Sequence, residues 1–160
     1  MGSVVARIGA PGPRWTEEAH VGPTRYRAPG AILASVATCP FCELPSTSLV
    51  ASSPLVCALL DAHPVSPGHT LVIPRRHVAT FFDASPEEQA ALLAEVIEIK
   101  RALDAELHPD GYNVGFNAGA AAGQTVMHAH VHVIPRFAGD VPDPRGGVRG
   151  VIAHRQKYQP

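Results

Sequence analysis

One long helix divides the sequence, and a short motif marks its start. Ser85 can cap the helix with its side chain, Pro86 suits the first helical position, and Glu88 can close a capping box. Apolar residues then recur at helical spacing, and they are Leu92, Val96, Ile99 and Leu103. Pro109-Asp110-Gly111 stops the pattern. The sequence therefore predicts a helix from residue 86 to about residue 107, with one face packed on a sheet.

Four apolar runs flank this helix, two before it and two after it. Residues 55–60 have the composition of a buried strand, and residues 69–74 follow as its antiparallel partner across a turn that contains Ser66-Pro67-Gly68. After the helix, residues 112–117 and residues 126–134 alternate between apolar and polar or small side chains, as half-buried strands do. The order β-β-α-β-β predicts an α+β fold with a mostly antiparallel sheet.

Length and charge limit the organisation and the partners of the chain. Its 160 residues fit one domain, and 13 Lys and Arg against 14 Asp and Glu leave a formal charge of -1. We expect neither nucleic acid nor a membrane as partner, because neither sign of charge dominates and no run approaches the roughly 18 apolar residues of a membrane span. A cytoplasmic location is expected. Residues 1–36 are predicted to form a tail or arm, and residues 37–160 the domain, with a C-terminal tail from about residue 137.

Three histidines occupy alternate positions in the last predicted strand, within Met127-His128-Ala129-His130-Val131-His132. Residues two apart in a strand project to one face, so the three rings are predicted to form a row with neighbours about 6.6 Å apart. An unpaired polar group on a core face costs about 1–3 kcal/mol, so the row should line a polar cleft. The pattern is open to three interpretations. The histidines could be hydrogen-bonded surface residues, they could all bind one metal, or each could have a different role toward a substrate. A flat row converges poorly on a tetrahedral metal.

Two separate motifs resemble those of one known family. The run from Gly123-Gln124-Thr125-Val126 through the three histidines to Ile134 resembles the signature of the histidine triad family of nucleotide hydrolases and transferases. The segment from Asp61 through Pro67-Gly68-His69 to His77 resembles the upstream half of that signature. Together the motifs cover roughly residues 39–136. The resemblance implies a HIT-like antiparallel sheet of about five strands with the long helix on one face, and a homodimer in which two sheets form one.

The resemblance implies separate roles for the residues of the site. His130 attacks the α-phosphorus of a purine nucleotide or nucleotide conjugate, and water resolves the nucleotidyl-histidine intermediate, while His132 steadies the phosphate. A neutral imidazole suits this attack if its other nitrogen donates to a fixed acceptor. Gln124 is implied near the leaving group. The residues implied in substrate binding are Asp61, His69 and Asn117, with the backbone N–H groups near Thr125 and Val126.

Two of these binding roles have a purely local alternative. Asp61 suits an Asx turn that opens the loop at Ala62-His63-Pro64 as well as it suits a ribose contact. A histidine at the start of a strand, such as His69, is commonly structural.

The pair Cys39-Pro40-Phe41-Cys42 is open to several interpretations: a redox couple, half of a zinc site, or two incidental thiols. Zinc suits it better than redox chemistry, because no thioredoxin-like βαβ pattern surrounds it, but zinc needs two further ligands. The resemblance implies that His77 and His128 supply them and that the Zn²⁺ is structural. His128 would then hold the metal, His130 attack, and His132 steady the phosphate.

The sequence leaves the reaction open at two levels. Within the enzyme class, a hydrolase or transferase that cleaves a P–O or P–N bond at the α-phosphate competes with a dinucleoside polyphosphate hydrolase or phosphorylase. Outside that class stands a non-catalytic nucleotide-binding interaction module. In the C-terminal tail, Arg145 or Arg149 could contact substrate phosphates, or both could be solvated loop arginines.

Overall fold

The computed structural model describes residues 39–157. The tail or arm predicted for residues 1–36 lies outside the described residues. None of the helices between residues 39 and 157 combines the length and the apolar character that a membrane span requires.

The long helix, α1, spans Pro86–Leu107 and begins as the sequence predicts. The Ser85 side chain accepts a hydrogen bond from the Glu88 N–H, and Glu88 Oε2 accepts one from the Ser85 N–H at 2.8 Å. The stripe that faces the sheet contains Leu92, Ile99 and Leu103, each 0% exposed, with Val96 partly buried against the same cluster. The capping box thus fixes where this apolar stripe starts and how it meets the sheet.

Five antiparallel strands form one sheet in the order β1-β2-β3-β5-β4. They span Leu49–Ser52 (β1), Val56–Leu60 (β2), Thr70–Pro74 (β3), Gly111–Gly115 (β4) and Val131–Arg136 (β5). The predicted α+β class and the five-stranded sheet with one long helix are confirmed. The residue pattern located only four of these strands, since the four residues of the edge strand β1 carry too few alternations to stand out.

The last strand begins at residue 131 and not at residue 126, so that part of the prediction is wrong. Two hydrogen bonds draw the preceding residues away from the ladder. His128 Nε2 donates to the Pro74 carbonyl oxygen at 2.8 Å, and the Ala129 N–H donates to the Val78 carbonyl oxygen at 2.7 Å. Pro74 has no N–H with which to continue a ladder. The pairing of β5 with β3 therefore starts at Val131.

The two faces of the sheet are covered differently. One face packs on α1 through a cluster that includes Val56, Ala58, Val72, Val131 and Val133. The opposite face buries Cys57, Leu59, Leu71 and Ile73 beneath Phe41, Leu44 and Leu49. Along β5 the buried residues alternate with His132, Ile134 and Arg136, which therefore lie on this second face. The candidate site lies there, beside the loop that carries the two cysteines.

Candidate functional site

The three histidines differ in position and in burial. Only His132 lies in β5, so the predicted flat row of three rings in one strand is wrong. His128 and His130 are 1% and 7% exposed, whereas 24% of the His132 side chain is exposed. The rings of His130 and His132 meet edge to face with centroids 5.0 Å apart. The ring of His128 is thus set apart from the rings of His130 and His132, which contact each other.

A backbone carbonyl fixes the tautomer of His130. Its Nδ1 lies 2.8 Å from the carbonyl oxygen of His128. A carbonyl oxygen only accepts, so Nδ1 carries the proton and Nε2 of the uncharged ring keeps its lone pair. Phe41 packs edge to face against the same ring with centroids 5.5 Å apart. The ring is therefore oriented, with the lone pair of the neutral form on Nε2.

A chain of hydrogen bonds likewise fixes the tautomer of His132. The Val65 N–H donates to His69 Nδ1 at 3.4 Å, which places the proton of His69 on Nε2. That Nε2 lies 2.9 Å from His132 Nδ1 and donates to it. The proton of His132 is consequently on its own Nε2. His69, which comes from a different strand, thus orients His132 so that the Nε2–H of His132 is the free donor of a ring that packs against His130.

Burial keeps these two rings uncharged at neutral pH. Burial, together with the neighbouring rings of His130 and His69, lowers the pKa of His132 to about 4. Burial also lowers the pKa of His69, although the Asp61 carboxylate opposes the shift. Asp61 Oδ2 lies 3.5 Å from His69 Nε2 and 3.9 Å from His132 Nδ1. Near pH 7 His132 is therefore a neutral ring that carries one N–H group.

Asp61 forms the Asx turn that its local sequence allowed. Its Oδ1 accepts a hydrogen bond from the His63 N–H at 2.8 Å. The other carboxylate oxygen remains on the side of His69. The turn thus uses only Oδ1 of Asp61, and Oδ2 remains as an acceptor beside His69 and His132.

The two cysteines lie with His77 and His128 in one compact set, in which the four candidate ligand atoms are all within 4.8 Å of one another. His128 Nδ1 is 3.4 Å from Cys39 Sγ and 3.6 Å from Cys42 Sγ, and His77 Nδ1 is 3.3 Å from Cys42 Sγ. Zn–S and Zn–N bonds at a tetrahedral angle place sulfur and nitrogen about 3.5 Å apart. The observed spacing and the Cys₂His₂ chemistry fit Zn²⁺.

The hydrogen bond from His128 to Pro74 supports the same fit. Because His128 Nε2 donates to that carbonyl, its Nδ1 keeps the lone pair that faces the two sulfurs. Histidine ligands of metals commonly have such a backbone or carboxylate partner on the second nitrogen. Nδ1 of His128 can therefore coordinate a metal, while the backbone carbonyl of His128 accepts the hydrogen bond from His130.

Gln124 is buried, and its side-chain amide bridges three backbone groups. Its Nε2 donates to the carbonyl oxygens of Ala79 at 2.6 Å and Val126 at 3.0 Å, and its Oε1 accepts from the Gly119 N–H at 2.8 Å. These contacts tie the loop after β4 to the segment after β3. In this arrangement the amide positions the loop that leads into the histidines.

Asn117 and Thr125 lie in the loop between β4 and β5, as Gln124 does, and their side chains are less buried than that of Gln124. Asn117 is half-buried and Thr125 is exposed. Val126 is half-buried, and its carbonyl is the one held by Gln124. All three residues lie in the loop between β4 and β5, which leads into the histidines.

The C-terminal arginines are engaged with the tail itself. Arg145 pairs with Asp143 through two contacts of 3.0 Å, and Lys157 contacts the same carboxylate. Arg149 donates to the carbonyl oxygens of Arg155 and Gln156. These contacts organise the short turns Gly147–Val151 and Ala153–Arg155.

Sequence reasoning missed two contributors to the site. Phe41, between the two cysteines, packs on the rings of both His128 and His130. The Val65 N–H selects the tautomer of His69, and nothing in its residue type signals that role. Phe41 could have been identified from the sequence, because it is the one large apolar residue between the two cysteines. The Val65 N–H could not, because every residue except proline has such a donor.

Comparison with known proteins agrees with this geometry. The HIT domain family matches residues 43–139. The chain belongs to the histidine triad (HIT) family, which includes enzymes that act on nucleotides.

Particular relatives are similar over the domain. The chain is 40% identical over 107 residues to AP-4-A phosphorylase of Mycobacterium tuberculosis, which covers 63% of this chain and 55% of that protein. It is 37% identical over 103 residues to an adenylylsulfatase of Arabidopsis thaliana, covering 61% of this chain and 52% of that protein. The chain thus spans about half the length of these curated relatives. A crystal structure of a zinc-bound histidine triad family protein from Mycobacterium smegmatis matches with a TM-score of 0.60 at 37% identity, covering 72% of this chain and 91% of that chain.

Proposed function

We propose that the protein cleaves a P–O or P–N bond at the α-phosphate of a nucleotidyl substrate, through a nucleotidyl intermediate on His130. The observation that carries this proposal is the hydrogen bond from His130 Nδ1 to the His128 carbonyl, which leaves Nε2 unprotonated. The family membership supports the same class of reaction.

In the first step, the Nε2 lone pair forms a bond to the α-phosphorus. The bond to the leaving oxygen or nitrogen breaks, and its electron pair departs with the leaving group. A leaving nitrogen also takes a proton from solvent and departs as the amine. The substituted imidazole is then cationic and keeps its Nδ1–H on the His128 carbonyl, which disperses that charge. In the second step, water attacks phosphorus and releases the nucleoside monophosphate, and the proton of the water returns to solvent. His130 regains its lone pair.

His132 assists both steps without titrating. Its Nε2–H donates to a phosphoryl oxygen, where negative charge grows in the transition state. A neutral donor suits this role because the pKa of His132 is lowered to about 4 by burial and by its neighbours. His69 holds His132 in the required tautomer. We expect Asp61, whose Oδ2 lies 3.5 Å from His69 Nε2, to accept hydrogen bonds from the ribose hydroxyls.

Cys39, Cys42, His77 and His128 would hold a structural Zn²⁺, which would tie the cysteine loop to the segment that precedes β5. Zinc bound here contributes stability to a small domain. The similarity to a zinc-bound family member supports this assignment.

The decisive experiment compares adenosine phosphoramidate with diadenosine tetraphosphate as substrates, each with and without inorganic phosphate. We expect nucleoside monophosphate to form from at least one of them, and rapid quenching in alkaline denaturant, which preserves the P–N bond to histidine, followed by mass spectrometry to find the nucleotidyl group on the peptide that contains His130. Turnover without modification of that peptide would refute the proposed intermediate.

Phosphorolysis is a second candidate, because one relative at 40% identity is named AP-4-A phosphorylase. In that reaction phosphate replaces water in the second step, so a nucleoside diphosphate forms in place of the monophosphate. A rate that does not depend on phosphate would exclude it.

A non-catalytic nucleotide-binding module is the alternative from another class. His130→Ala separates it from the enzyme: a binding module behaves as before, whereas an enzyme loses turnover and keeps its affinity for nucleotide. The fixed tautomer of His130 favours the enzyme, because binding alone does not require a free lone pair.

We also propose that two copies join along β4 into one larger sheet. β4 lies at the edge of the sheet, and Val114 on it is 42% exposed. Leu93 and Ile97 lie on one face of α1 and are 53% and 52% exposed, and Phe82 is 70% exposed. An unpaired strand edge with apolar neighbours favours strand addition. Light scattering should give twice the chain mass for the native protein and a single chain mass for Val114→Lys.

A further inference from the structure

The two cysteines of the candidate zinc site are also placed to bond to each other. A turn joins them, closed by a hydrogen bond of 3.0 Å from the Cys42 N–H to the Cys39 carbonyl oxygen. Such a turn holds its end Cα atoms within about 7 Å, which overlaps the range of about 4.4–6.8 Å in disulfides. The two sulfur atoms lie within 4.8 Å of each other. The pair can therefore exist as two thiolates on a metal or as one disulfide.

The three cysteines of the chain differ in their access to solvent. Cys42 is exposed and Cys39 is half-buried, whereas Cys57 is buried in the apolar cluster on the second face of the sheet. Oxidants react with thiolates, and a metal keeps its cysteine ligands deprotonated at neutral pH. A small oxidant thus meets Cys42 first, with Cys39 as the second thiolate beside it, and Cys57 is shielded.

Phe41 connects this pair to the candidate nucleophile. It lies between the two cysteines, and its ring meets the ring of His130 edge to face with centroids 5.5 Å apart. In a disulfide the sulfurs approach to about 2 Å, so the turn that carries Phe41 has to shift. Disulfide formation therefore changes the packing against His130.

His128 provides the second connection. Its Nε2 donates to the Pro74 carbonyl, its Nδ1 faces the two sulfurs, and its own carbonyl accepts from His130 Nδ1 at 2.8 Å. Loss of the metal removes one of the two partners that fix the His128 ring. The residue that selects the tautomer of His130 is then less constrained.

The main core does not depend on the two cysteines. Among the described residues, those that pack between α1 and the sheet all lie beyond residue 49. Phe41 and Leu44 pack on the smaller cluster of the opposite face. A change at the cysteine pair should thus alter the site while the helix and the sheet stay folded.

We propose that Cys39 and Cys42 form a redox switch, in which a peroxide oxidises the pair to a disulfide, Zn²⁺ is released, and cleavage at His130 slows. The effect on cleavage rests on the proposed function, and the oxidation rests on the zinc site alone. The switch would make the activity of the protein depend on the peroxide level around it.

Two steps account for the oxidation. The Cys42 thiolate attacks one oxygen of hydrogen peroxide, the O–O bond breaks, and hydroxide leaves a sulfenic acid on Cys42. The Cys39 thiolate then attacks that sulfur and expels a second hydroxide. The two sulfurs together lose two electrons, and peroxide becomes two hydroxides, which take protons from solvent and form water. The disulfide carries no negative charge, so only the two histidines remain as ligands and the metal dissociates.

The test treats the zinc-loaded full chain with hydrogen peroxide and follows zinc, thiols and turnover. We expect a metallochromic indicator to detect about one zinc ion per chain, and peptide mapping to find a disulfide between Cys39 and Cys42 with Cys57 still a thiol. Turnover should fall at least about tenfold while the far-UV circular dichroism is retained. A dithiol reductant with added zinc should restore it.

Met127 requires a control of its own, because peroxide also oxidises exposed methionines and this side chain is 49% exposed. Met127→Leu should respond to peroxide as the native protein does. Cys42→Asp keeps a possible zinc ligand and Met127 but has no partner for a disulfide. Relative to its own untreated form, it should keep its zinc and its turnover.

Three results would overturn the switch. They are zinc retained with no disulfide in the native protein, full protection of turnover by Met127→Leu, and loss of turnover that accompanies unfolding. Zinc release with unchanged turnover would likewise overturn the link to His130. If the untreated protein cleaves no substrate, the proposed function fails, and zinc release and the peptide map still decide whether the pair is oxidised. They also decide if Cys42→Asp binds no zinc, because both are measured on the native chain.

Discussion

The carbonyl oxygen of His128 accepts a hydrogen bond from His130 Nδ1 at 2.8 Å, while the ring of the same His128 lies 3.4 Å from Cys39 Sγ. One residue therefore joins the candidate zinc site to the candidate nucleophile. Its side chain faces the two sulfurs, and its main chain selects the tautomer of the next histidine. The structural and the chemical halves of the site share one short segment before β5.

Replacing His130 should separate chemistry from binding. His130→Asn removes the nucleophile, so we expect nucleoside monophosphate formation to fall by at least about 10³-fold, because no other group supplies the covalent step. Nucleotide affinity should stay within about threefold, an energy below 1 kcal/mol. Steady-state kinetics and calorimetry measure the two quantities. His63→Ala, at an exposed histidine of the neighbouring turn, is the control and should retain turnover.

Removing the two thiols should empty the metal site and weaken the fold. Cys39→Ser with Cys42→Ser is expected to lower bound zinc from about one ion per chain to near zero and to cost several kcal/mol of stability, since metal binding to such sites is coupled to folding. Elemental analysis and urea unfolding measure these effects. His130→Ala should retain its zinc. Loss of zinc in that control would mean that the triad itself holds the metal and that the assignment of His130 is wrong.

Much of the fold was predictable, because its signals are local. The cap at Ser85 and the apolar stripe from Leu92 to Leu103 depend on residues within one helix, and the structure reproduces both. Strand β1 escaped prediction because it is short and lies at the sheet edge. The late start of β5 was not predicted, because hydrogen bonds to the carbonyls of Pro74, at the end of β3, and of Val78, after it, override the alternating pattern.

The site was predictable in its residues and not in its geometry. The alternating histidines and the cysteine pair identify candidate groups, but the sequence cannot show that His128 turns toward the cysteines while His130 and His132 stay together. Backbone donors and acceptors decide that arrangement. The Val65 N–H and the His128 carbonyl are present whatever the residue type, so only the folded chain reveals their roles.

Gln124 should affect stability as well as rate. Gln124→Ala leaves the Gly119 N–H and the carbonyls of Ala79 and Val126 without their partner, and we expect a loss of about 1–3 kcal/mol in the free energy of unfolding. Urea unfolding measures this loss. Gln89→Ala, another glutamine that bonds two carbonyls, is a comparison for a site remote from the triad. A reduced turnover number with unchanged stability would instead place Gln124 on the leaving group.

Glu95 is a buried carboxyl that the fold does not satisfy. It is 5% exposed, and its Oε1 has no hydrogen-bond partner among the described residues. Burial raises its pKa, so the charged form is disfavoured in the folded state, and stability is lost as pH rises through the folded pKa. Glu95→Met should therefore stabilise the protein at pH 7 by about 1–2 kcal/mol. Glu98→Met, at the half-exposed neighbour, is expected to change stability far less.

His132 should make the stability of the protein depend on pH in a defined window. Its pKa is lowered from 6.5 to about 4, chiefly by burial, so between these values the unfolded chain binds a proton that the folded chain does not. Stability is then complete above pH 6.5 and falls as pH decreases toward 4. At pH 4.5 the loss due to this one ring should be about 2 kcal/mol relative to pH 7. His132→Gln removes the titrating group, so urea unfolding at the two pH values should show a smaller decrease for the variant. Zinc loss in acid affects both proteins alike and cancels in the difference. Equal decreases in the native protein and the variant would show that His132 is not held neutral by the fold, and its role as an uncharged donor to the phosphate would then fail.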